Sequence, residues 1–291
     1  MSMAKRVLVV GAAGGVGLAV TELLLANGCS VIGTVMDEDQ RRQLIDAHPA
    51  IDQVFVMDLA DADGIATKIT ANIDSDSTLD AVAVCAGIAT YGPLETTPLT
   101  ALRHILEVNT VADLAVFQAT MPQLRRARGR MVFISSLAGK VSFPFIGHYS
   151  ASKFALEALA DAMRREVAPW GVSISLVEPG GIRTPMAAQQ LAAISADCDS
   201  MSGPNRDLYG HLFRAHRDAV SSIGQSGLAP EEVAAAVWAA LSESNPRTRY
   251  ETGTDSVLFC GLARTRSDEE LDKLASIEAT VPHLTHAEAA S

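Results

Sequence analysis

A tyrosine and a lysine four residues apart are the residues of this chain that most clearly suggest chemistry. Tyr149 and Lys153 stand in the segment HYSASKFAL, downstream of Ser136 in VFISSLAG. On a helix, residues i and i+4 lie on the same face. A free tyrosine has a pKa of about 10, and a nearby positive charge favours its phenolate. The pair therefore predicts that the tyrosine transfers a proton near neutral pH.

A glycine-rich segment near the start of the chain predicts a site for a dinucleotide. In VLVVGAAGGVG, Gly11 follows an apolar run, and Gly15 and Gly17 open a helical pattern. Glycines permit a tight turn and a close approach of the backbone to a pyrophosphate at a helix N-terminus. A second spacing, through Gly14, coexists with the first, and the segment alone does not choose between them. Together with the tyrosine and the lysine, this segment predicts hydride chemistry.

The elements that must position these residues alternate between strand and helix patterns. Strands are predicted at 6–10, 30–35, 53–59, 79–87, 129–136, 172–180 and about 254–259. Helices are predicted at 16–28, 38–48, 98–124, 149–169 and 229–241. The strands are apolar on both faces, which is typical of a parallel sheet covered by helices on both sides. We therefore predict a Rossmann-like α/β fold, a doubly wound parallel sheet of about seven strands, in a single domain over residues 1–280 with a frayed tail at 281–291.

The segment from about 185 to 228 departs from this alternation. It is interpreted as two short helices around a loop, beyond the carboxyl end of the sixth strand, where such folds place segments that cover the substrate. Its apolar side chains are Met186, Leu191, Leu208, Tyr209, Leu212 and Phe213, and the apolar residues Phe143, Pro144 and Phe145 come shortly before Tyr149. An apolar cover predicts a bulky hydrophobic alcohol or ketone as the substrate.

The end of the second predicted strand bears on the choice between NAD and NADP. An acid there would bind the ribose 2′-hydroxyl, whereas a basic residue would accept a 2′-phosphate. In TVMDEDQRR the first polar residue is Asp37, while Arg41 and Arg42 fall on the helix that follows. Asp37 is at least as well placed to be the N-cap of that helix. We expect NAD or NADP as the cofactor, with a preference for NAD.

Composition and charge exclude several other classes of protein. The 291 residues carry a net charge of −11, so we expect no nucleic-acid partner and no attraction to an anionic membrane. The apolar runs are too short for a membrane-spanning helix, which needs about 18 residues. The four cysteines form no CxxC pair, which argues against a disulfide framework or a metal site. A cytoplasmic location is expected.

These motifs resemble those of the short-chain dehydrogenase/reductase family in type, order and spacing. They are GAAGGVG, MDLA, CAG, EVN, ISS, YSASK and EPGGIRTPM, and they cover about residues 5–187, with a looser likeness to about 260. The resemblance implies an NAD(P)-dependent oxidoreductase that interconverts a hydroxyl and a carbonyl. The glycine spacing and the length favour the shorter reductase type, and the later part of the chain is loosely similar to the steroid and retinol branch.

The resemblance also implies roles for individual residues. The family's catalytic tetrad falls on Asn109, Ser136, Tyr149 and Lys153. Tyr149 would transfer the proton, and Lys153 would lower its pKa and bind the nicotinamide ribose. Ser136 would hold the reacting oxygen, and Asn109 would hold a water. The further cofactor contacts would be Gly11, Gly15, Val16 and Gly17 at the pyrophosphate, Asp58 and Leu59 at the adenine, Ala86 and Gly87 at the adenosine ribose, and Pro179, Gly180, Ile182 and Thr184 at the nicotinamide half.

Three departures from the family pattern stand out. Val10 replaces the usual threonine before the first glycine, and Val84 and Cys85 replace a usual pair of asparagines. Both changes remove hydrogen bonds that brace loops. Val35 and Met36 match neither the NAD pattern nor the NADP pattern.

Two other functions stay open from the sequence. The chain could be a non-catalytic dinucleotide-binding regulator that keeps the fold, although the intact tetrad argues against it. It could also be an epimerase or dehydratase with tightly bound NAD that reuses the same tyrosine and lysine. The helices at 98–124 and 149–169 often form a dimer interface in the family, so a homodimer or homotetramer is expected.

Overall fold

The fold is built on one parallel sheet. A computed structural model describes residues 5–276 of the chain. The side chains of residues 185–187 and 222–226, and the tail predicted at 281–291, lie outside that description. Seven strands are hydrogen-bonded in the order β3-β2-β1-β4-β5-β6-β7. They are β1 Arg6–Val10, β2 Ser30–Val35, β3 Gln53–Val56, β4 Ala81–Val84, β5 Arg130–Ile134, β6 Ser173–Pro179 and β7 Arg249–Thr252. Every neighbouring pair is parallel, so the predicted Rossmann-like sheet is confirmed.

Helices cover both faces of the sheet. They are α1 Gly15–Ala26, α2 Glu38–Ala47, α3 Ile65–Asn72, α4 Leu99–Leu106, α5 Ala112–Ala127, α6 Gly147–Val167, α7 Pro185–Ser200, α8 Gly203–Ser226, α9 Pro230–Ser242, α10 Thr254–Thr265 and α11 Asp268–Ala275. Successive side chains of a strand point to opposite faces. Leu8 and Val10 of β1 accordingly join the core formed with α3, α5 and α6, while Val7 and Val9 join the core formed with α1 and α9. This two-sided burial is the reason that the strands are apolar throughout.

The long helix predicted at 98–124 is interrupted. Pro98 precedes α4, and a π-helical turn at Glu107–Val111 separates α4 from α5. The extra residue in a π turn changes the direction in which the side chains around it point, and such turns are frequent at functional sites. In this turn Asn109 is buried.

The last strand lies earlier than predicted. Residues 254–259 belong to α10, and the strand is Arg249–Thr252. Gly253, with a φ of 100°, ends the strand in a conformation that favours glycine. In the helix that follows, Ser256 and Cys260 are buried while Val257 and Leu258 are exposed. The apolar residues of SVLF (256–259) therefore wrongly predicted a strand, because they lie on different faces of a helix.

The segment at 185–228 folds as two helices, α7 and α8, which are longer than the short pair predicted. They pack on each other around a small core of Ile194, Cys198 and Phe213. Within the described residues, none of the helices is long and apolar enough to cross a membrane.

Candidate active site

The predicted tyrosine and lysine lie on consecutive turns at the start of α6. The Nζ atom of Lys153 lies 6.0 Å from the centre of the Tyr149 ring. The same atom donates a hydrogen bond of 2.9 Å to the carbonyl oxygen of Ile134, the last residue of β5. Lys153 is only 4% exposed, so its ammonium is shielded from solvent beside the Tyr149 ring. The helix thus supplies the spacing, and the strand end fixes the direction of the lysine.

Ser136 lies two residues beyond the end of β5. It is buried, and its Oγ accepts a hydrogen bond of 3.1 Å from the backbone N–H of Ala138, at the start of a short 3-10 turn. A hydroxyl that accepts one bond still has its proton to donate. The neighbouring Ser135 faces the interior instead, where its Oγ would lie 3.0 Å from a Cβ atom added at Gly139. This difference favours Ser136 over Ser135 as the group that meets a substrate.

Asn109 connects three segments around the site. Its Oδ1 accepts from the N–H of Ile88 at 2.8 Å, and its Nδ2 donates to the carbonyl oxygen of Ile88 at 2.8 Å and to Oγ of Ser152 at 3.0 Å. The π turn is thereby joined to the loop after β4 and to α6. Because both amide hydrogens are used, only oxygen atoms of Asn109 remain to bind a water.

Gly87, predicted to border the ribose, lies where these groups converge. A Cβ atom added at Gly87 would lie 3.3 Å from Oδ1 of Asn109 and 3.6 Å from Nζ of Lys153. Ala86, just before it, contacts the glycine loop, because a Cβ at Gly11 would lie 2.6 Å from the Cβ of Ala86. The structure therefore brings together the glycine loop, the end of β4, Asn109 of the π turn and Lys153 of α6.

The glycine loop requires glycine at two of its positions. Gly11 has a φ of 81°, and a Cβ added at Gly17 would lie 2.0 Å from the carbonyl oxygen of Gly11. A Cβ at Gly14 would make only an ordinary contact of 3.5 Å with that oxygen. Gly15 and Val16 form the first turn of α1, which holds no acidic residue. Both spacings considered in the sequence share Gly11 and Gly17, and these are the two positions that the geometry constrains.

Thr34 of β2 is a site residue that the sequence reasoning missed. Its Oγ1 accepts a hydrogen bond of 3.2 Å from the N–H of Gly11, and its carbonyl oxygen accepts one of 2.8 Å from the N–H of Ala12. The resemblance to the family implies a threonine at position 10, where this chain has Val10. The hydroxyl of Thr34 therefore supplies a hydrogen bond to the glycine loop that Val10 cannot make. The available signal was a polar residue at a buried position near the end of the strand SVIGTV.

Asp37 is the N-cap of α2, the alternative that the sequence left open. Its Oδ1 accepts a hydrogen bond of 2.8 Å from the N–H of Gln40. Arg41 and Arg42 lie on α2, as predicted. Arg41 donates to the carbonyl oxygen of Val54 at 2.9 Å and pairs with Glu38, and Arg42 pairs with Asp39.

The other predicted cofactor contacts lie after β3 and β6. Asp58 is exposed and accepts a bond of 2.9 Å from the N–H of Ala60, and Leu59 beside it is buried. Pro179 ends β6, and Gly180, Ile182 and Thr184 follow it. Ile182 forms a bridge with Leu228, which joins the two ends of the covering segment.

Asp255 is a second residue that the sequence reasoning missed. Its Oδ2 accepts a hydrogen bond of 2.9 Å from the N–H of Gly181. A Cβ added at Gly180 would lie 1.9 Å from Oδ1 of the same carboxylate. The glycine after β6 is therefore required by a side chain that comes 75 residues later in the sequence, and no local pattern announces that contact.

Aromatic rings form the wall between the site and the covering helices. Phe145, with a φ of 66°, lies 5.3 Å from the ring of Phe213 and 5.3 Å from that of His216. The ring of Tyr91 lies 5.7 Å from that of His216. Burial, with a smaller effect of Tyr149, raises the pKa of Tyr91 to about 12.

Some of the apolar residues predicted in the cover lie elsewhere. Leu208 is 60% exposed, and Phe143 packs edge-on against Phe259 of α10 at 5.0 Å. Tyr209 and Leu212 pack beside the core of α7 and α8, Leu191 is half-buried, and the side chain of Met186 lies outside those described. Leu208 and Phe143 therefore do not belong to the packed core of α7 and α8.

Comparisons with known proteins show which family this chain resembles. The family model described as short chain dehydrogenase matches residues 5–194. The NADPH-dependent 3-dehydrocapnine reductase of Ornithobacterium rhinotracheale is 31% identical over 278 residues, which cover 93% of this chain and 95% of that protein. The 17-beta-hydroxysteroid dehydrogenase type 1 of Mus musculus is 27% identical over 273 residues, which cover 90% of this chain and 77% of that protein. A solved short-chain dehydrogenase from Streptomyces avermitilis, 27% identical, has a TM-score of 0.74 and covers 98% of this chain and 100% of its own.

The chain therefore belongs to the short-chain dehydrogenase family. The sequence-based expectation of an oxidoreductase of this family, which works with NAD or NADP on a Rossmann-like fold, is confirmed at the level of the family.

Proposed function

We propose that this protein interconverts a hydroxyl and a carbonyl group on a bulky hydrophobic substrate, with Tyr149 as the general acid and base. The observation that carries the proposal is the buried ammonium of Lys153, fixed by the carbonyl of Ile134 and 6.0 Å from the centre of the Tyr149 ring. A positive charge held beside a phenol favours loss of the phenol's proton. A positioned acid or base of this kind contributes about 10²–10⁴-fold to the rate.

The loop and helix around Gly11 and Gly17 fit a dinucleotide. These positions form a cradle that a Cβ atom would fill, and α1 begins beside it with no acidic residue in its first turn. The N–H groups at a helix N-terminus favour a phosphate. We propose that the residues around the cofactor are those expected from the family pattern: Gly11, Gly15, Val16, Gly17, Asp37, Asp58, Leu59, Ala86, Gly87, Asn109, Tyr149, Lys153, Pro179, Gly180, Ile182 and Thr184. When bound, the nicotinamide ring supplies or accepts the hydride.

The protein's own residues then handle the proton. During reduction of a carbonyl, Tyr149 would donate its hydroxyl proton to the substrate oxygen, and Oγ of Ser136 would donate a hydrogen bond to the same oxygen. Lys153 would stabilise the phenolate that results and bind the nicotinamide ribose. Asn109 would hold the helices in place, and its remaining oxygen acceptors would keep a water near Lys153. Oxidation of an alcohol would run through the same groups in reverse.

For the cofactor we propose a preference for NAD. Arg41 and Arg42 are both engaged by other groups of the protein, and the carboxylate of Asp37 lies at the end of β2. A carboxylate there disfavours a 2′-phosphate and can accept a bond from a 2′-hydroxyl. The relative named as an NADPH-dependent reductase makes the opposite preference the natural competitor.

A titration of the purified protein with NADH and, separately, NADPH tests this preference by nucleotide fluorescence. We expect tighter binding of NADH, and we expect Asp37→Ser to reduce the difference by raising the affinity for NADPH. Asp39→Ser is a suitable control, because Asp39 is exposed and pairs with Arg42 on the same helix. Tighter binding of NADPH by the unmodified protein would contradict the assignment of Asp37 as the selector.

The apolar rings beside the site support a bulky hydrophobic substrate. Phe145 and Phe213 face each other at 5.3 Å, and Tyr91 and His216 extend the same wall. Apolar and aromatic walls with few polar groups suit such ligands. A panel of hydrophobic ketones of increasing size, assayed with the preferred nucleotide, should show kcat/KM rising with size.

The Tyr149→Phe variant tests the mechanism directly. We expect turnover to fall by at least about 100-fold, because phenylalanine keeps the aromatic ring but has no hydroxyl proton to donate. Tyr209→Phe is a matched control, because the phenol of Tyr209, which lies on the covering segment, donates a hydrogen bond to Glu95. Full turnover by Tyr149→Phe would overturn the mechanism, whereas nucleotide binding with no turnover by the unmodified protein would favour the regulator. Nucleotide that survives purification, with a product at the same oxidation level as its substrate, would instead favour an epimerase or dehydratase.

We also propose that the protein is a homo-oligomer of the cytoplasm. The face formed by α4, the π turn and α6 exposes Leu99, Val111 and Phe154, which is the region expected to pair in the family. The four cysteines are unpaired, which fits a reducing compartment. Light scattering of the purified protein would give the subunit number, and a monomer at micromolar concentration would contradict the first part of this proposal.

A further inference from the structure

Four charged side chains form a cluster that the proposed mechanism does not use. The acids are Glu157 and Glu178, whose side chains are 7% and 0% exposed, and the cations are Lys140 and Arg249, each 23% exposed. Lys140 pairs with Oε2 of Glu157, and its Nζ lies 3.5 Å from Oε1 of Glu178. Arg249 lies 2.9 Å from the same oxygen of Glu157 and 3.0 Å from Oε1 of Glu178. Each cation therefore contacts both acids.

The cluster joins four elements of the fold. Lys140 comes from the loop after β5, Glu157 from α6, Glu178 from β6 and Arg249 from β7. The cost of removing charges from water offsets much of their attraction, so a buried ion pair adds little net stability. Loss of one partner is nevertheless costly, because it leaves an uncompensated charge. The cluster should therefore matter more for the arrangement of these elements than for their stability.

Lys140 ends a short segment that begins with Ser136, the serine turn (residues 136–140). Its N–H donates a hydrogen bond of 2.9 Å to the carbonyl oxygen of Leu137, and the N–H of Gly139 donates one of 2.9 Å to that of Ser136. The N–H of Ala138 bonds to Oγ of Ser136 at 3.1 Å. Because the turn is bonded to itself in this way, a displacement of Lys140 is passed on to Ser136.

The serine turn lies directly on α6, next to the catalytic residues of that helix. A Cβ atom added at Gly139 would lie 3.3 Å from the backbone carbonyl carbon of Lys153 and 3.1 Å from Cγ of Glu157. Glycine permits this close approach because it has no side chain. For the same reason Gly139 cannot interlock with the helix and fix the turn along it. The ion pair of Lys140 with Glu157 supplies a restraint at this contact.

We propose that Lys140 is a positioning residue, which acts through the serine turn to hold Oγ of Ser136 where it meets the same substrate oxygen as Tyr149. The inference rests on the proposed function, in which both hydroxyls must reach that oxygen. They come from different elements, the loop after β5 and the start of α6, so their separation depends on how the loop is fixed on the helix. Arg249 belongs to the same cluster but lies outside the serine turn. Loss of Lys140 should therefore displace Ser136, whereas loss of Arg249 should not.

Lys140→Met tests this role, because it removes the ammonium and keeps a long unbranched side chain. The measurement is a single turnover, in which the complex with reduced nucleotide is mixed with excess ketone and the loss of nucleotide fluorescence is followed. We expect the rate to fall by about tenfold, since a displacement of about 1 Å can cost up to about 100-fold. The affinity for nucleotide should not change. Lys140→Arg, which keeps a cation, should recover most of the rate.

A double-mutant cycle with Ser136→Ala distinguishes positioning from a general loss of structure. Once the hydroxyl of Ser136 is absent, Lys140→Met should lower the single-turnover rate no further. A purely structural role for Lys140 predicts the same loss in both backgrounds, and this result would overturn the proposal. If Lys140→Met does not fold, Lys140→Gln takes its place, because it removes the charge but keeps a hydrogen-bond donor.

Arg249→Met is the matched control. Arg249 is as exposed as Lys140 and contacts the same oxygen of Glu157. We expect Arg249→Met to unfold at a lower temperature than the unmodified protein and to keep its single-turnover rate. Equal losses of rate in Arg249→Met and Lys140→Met would assign the effect to α6 as a whole and would overturn the specific role of Lys140.

Hydrogen exchange in peptides that contain residues 136–141 gives a readout that needs no substrate. The N–H groups of Ala138, Gly139 and Lys140 are bonded within the serine turn. They should exchange faster in Lys140→Met than in the unmodified protein or in Arg249→Met, because their bonds open more often when the turn is no longer fixed on α6.

The two readouts separate this inference from the proposed function. Faster exchange in the serine turn of Lys140→Met, in a protein whose unmodified form reduces no ketone, would support the positioning of the turn and remove the function. Unchanged exchange, or an unchanged single-turnover rate, in a protein that reduces ketones would overturn the role of Lys140 and leave the function intact. Unchanged exchange in a protein that reduces no ketone would contradict both.

Discussion

The floor of the site and its cover are built in different ways. The floor comprises the glycine loop, the ends of β4 and β5, and the first turns of α6. Its residues are fixed by hydrogen bonds between buried groups, such as the three of Asn109, and by contacts that admit only glycine, as at Gly17. The cover, α7 with α8, is fixed by ring and aliphatic packing around Phe213.

The difference explains which residues a sequence can reveal. A position that tolerates only one residue type can be recognised in the sequence as part of a motif. A position that needs only apolar volume accepts several residue types, so the sequence shows only that the segment is apolar. In the proposed function the floor carries out the reaction, and its residues can be recognised from the sequence. The cover would select the substrate, and its sequence predicts only that the substrate is apolar.

The largest effect is expected where the floor is tightest. Gly17→Ala would place a Cβ atom 2.0 Å from the carbonyl oxygen of Gly11, so the loop or the start of α1 must move. We expect the affinity for the preferred nucleotide to fall by about 100-fold or more, equivalent to about 3 kcal/mol. The measurement is the fluorescence titration used for cofactor preference.

Gly14→Ala is the matched control, because its Cβ would lie 3.5 Å from the same oxygen, an ordinary contact. A Gly17→Ala protein that binds nucleotide as tightly as Gly14→Ala would show that the loop is as adaptable as the cover, and the contrast between the two regions would be lost.

The cover should respond in KM rather than in kcat. Phe213→Leu removes ring contacts with Phe145 and His216 while keeping an apolar side chain. A change of this size in a hydrophobic pocket costs about 1–3 kcal/mol of substrate binding, so we expect KM for a bulky ketone to rise by about tenfold. An unchanged kcat would mean that the lost contact served ground state and transition state equally.

Leu208→Ala tests the same comparison from the outer surface of the cover. Leu208 is exposed, so its truncation should leave KM unchanged. Steady-state kinetics of the two variants with one bulky and one small ketone would give the result. A fall in kcat for Phe213→Leu, at constant KM, would mean that the cover helps to align the reacting groups, a task assigned here to the floor.

Much of the floor could be predicted because its determinants are local. The spacing of Tyr149 and Lys153 predicts a shared helical face, and α6 provides it. Apolar runs predicted six of the strands close to their observed positions. Gly11 and Gly17 were identified by type, because a tight turn and a close helix approach leave few alternatives.

The rest depended on contacts between distant segments. The segment EVNTV does not predict a π turn by itself, because the contacts that hold Asn109 in that turn come from Ile88 and Ser152 in other elements. Asp255 lies far from Gly181 in the sequence, and Thr34 acts on a loop 23 residues earlier. The strand predicted at 254–259 was wrong because a short apolar run does not distinguish a strand from one part of a helix.

Acid should loosen the cover before the floor. Burial lowers the pKa of His216 from an ordinary value of 6.5 to about 4. The unfolded chain therefore takes up this proton first, so the stability contributed by the neutral ring is present above about pH 6.5 and is lost as the pH falls toward 4. At pH 5.5 the loss amounts to about 1 kcal/mol.

His216→Phe keeps an aromatic ring against Tyr91 and Phe145 but cannot take up a proton. We expect it to unfold at a higher temperature than the unmodified protein at pH 5.5, and at a similar temperature at pH 8. His104→Gln, which changes an exposed histidine of α4, should show no such dependence. Hydrogen exchange at pH 5.5 that rises first in α4 rather than in α7 and α8 would contradict the idea that the cover is the weaker region.

The smallest effect concerns the bond that connects β2 to the glycine loop. Thr34→Val keeps the shape of the side chain and removes the acceptor for the N–H of Gly11, while the bond from Ala12 to the carbonyl of residue 34 survives. A lost hydrogen bond of this kind costs about 1 kcal/mol, so nucleotide binding should weaken by about fivefold. Thr120→Val is the control, since Thr120 is equally buried but bonds only within α5. If both variants bind nucleotide alike, the loop keeps its form through the backbone and the two glycines alone. The hydroxyl of Thr34 would then be as replaceable as a side chain of the cover. The positions of the floor that tolerate only one residue type would then be Gly11, Gly17 and the proposed catalytic residues.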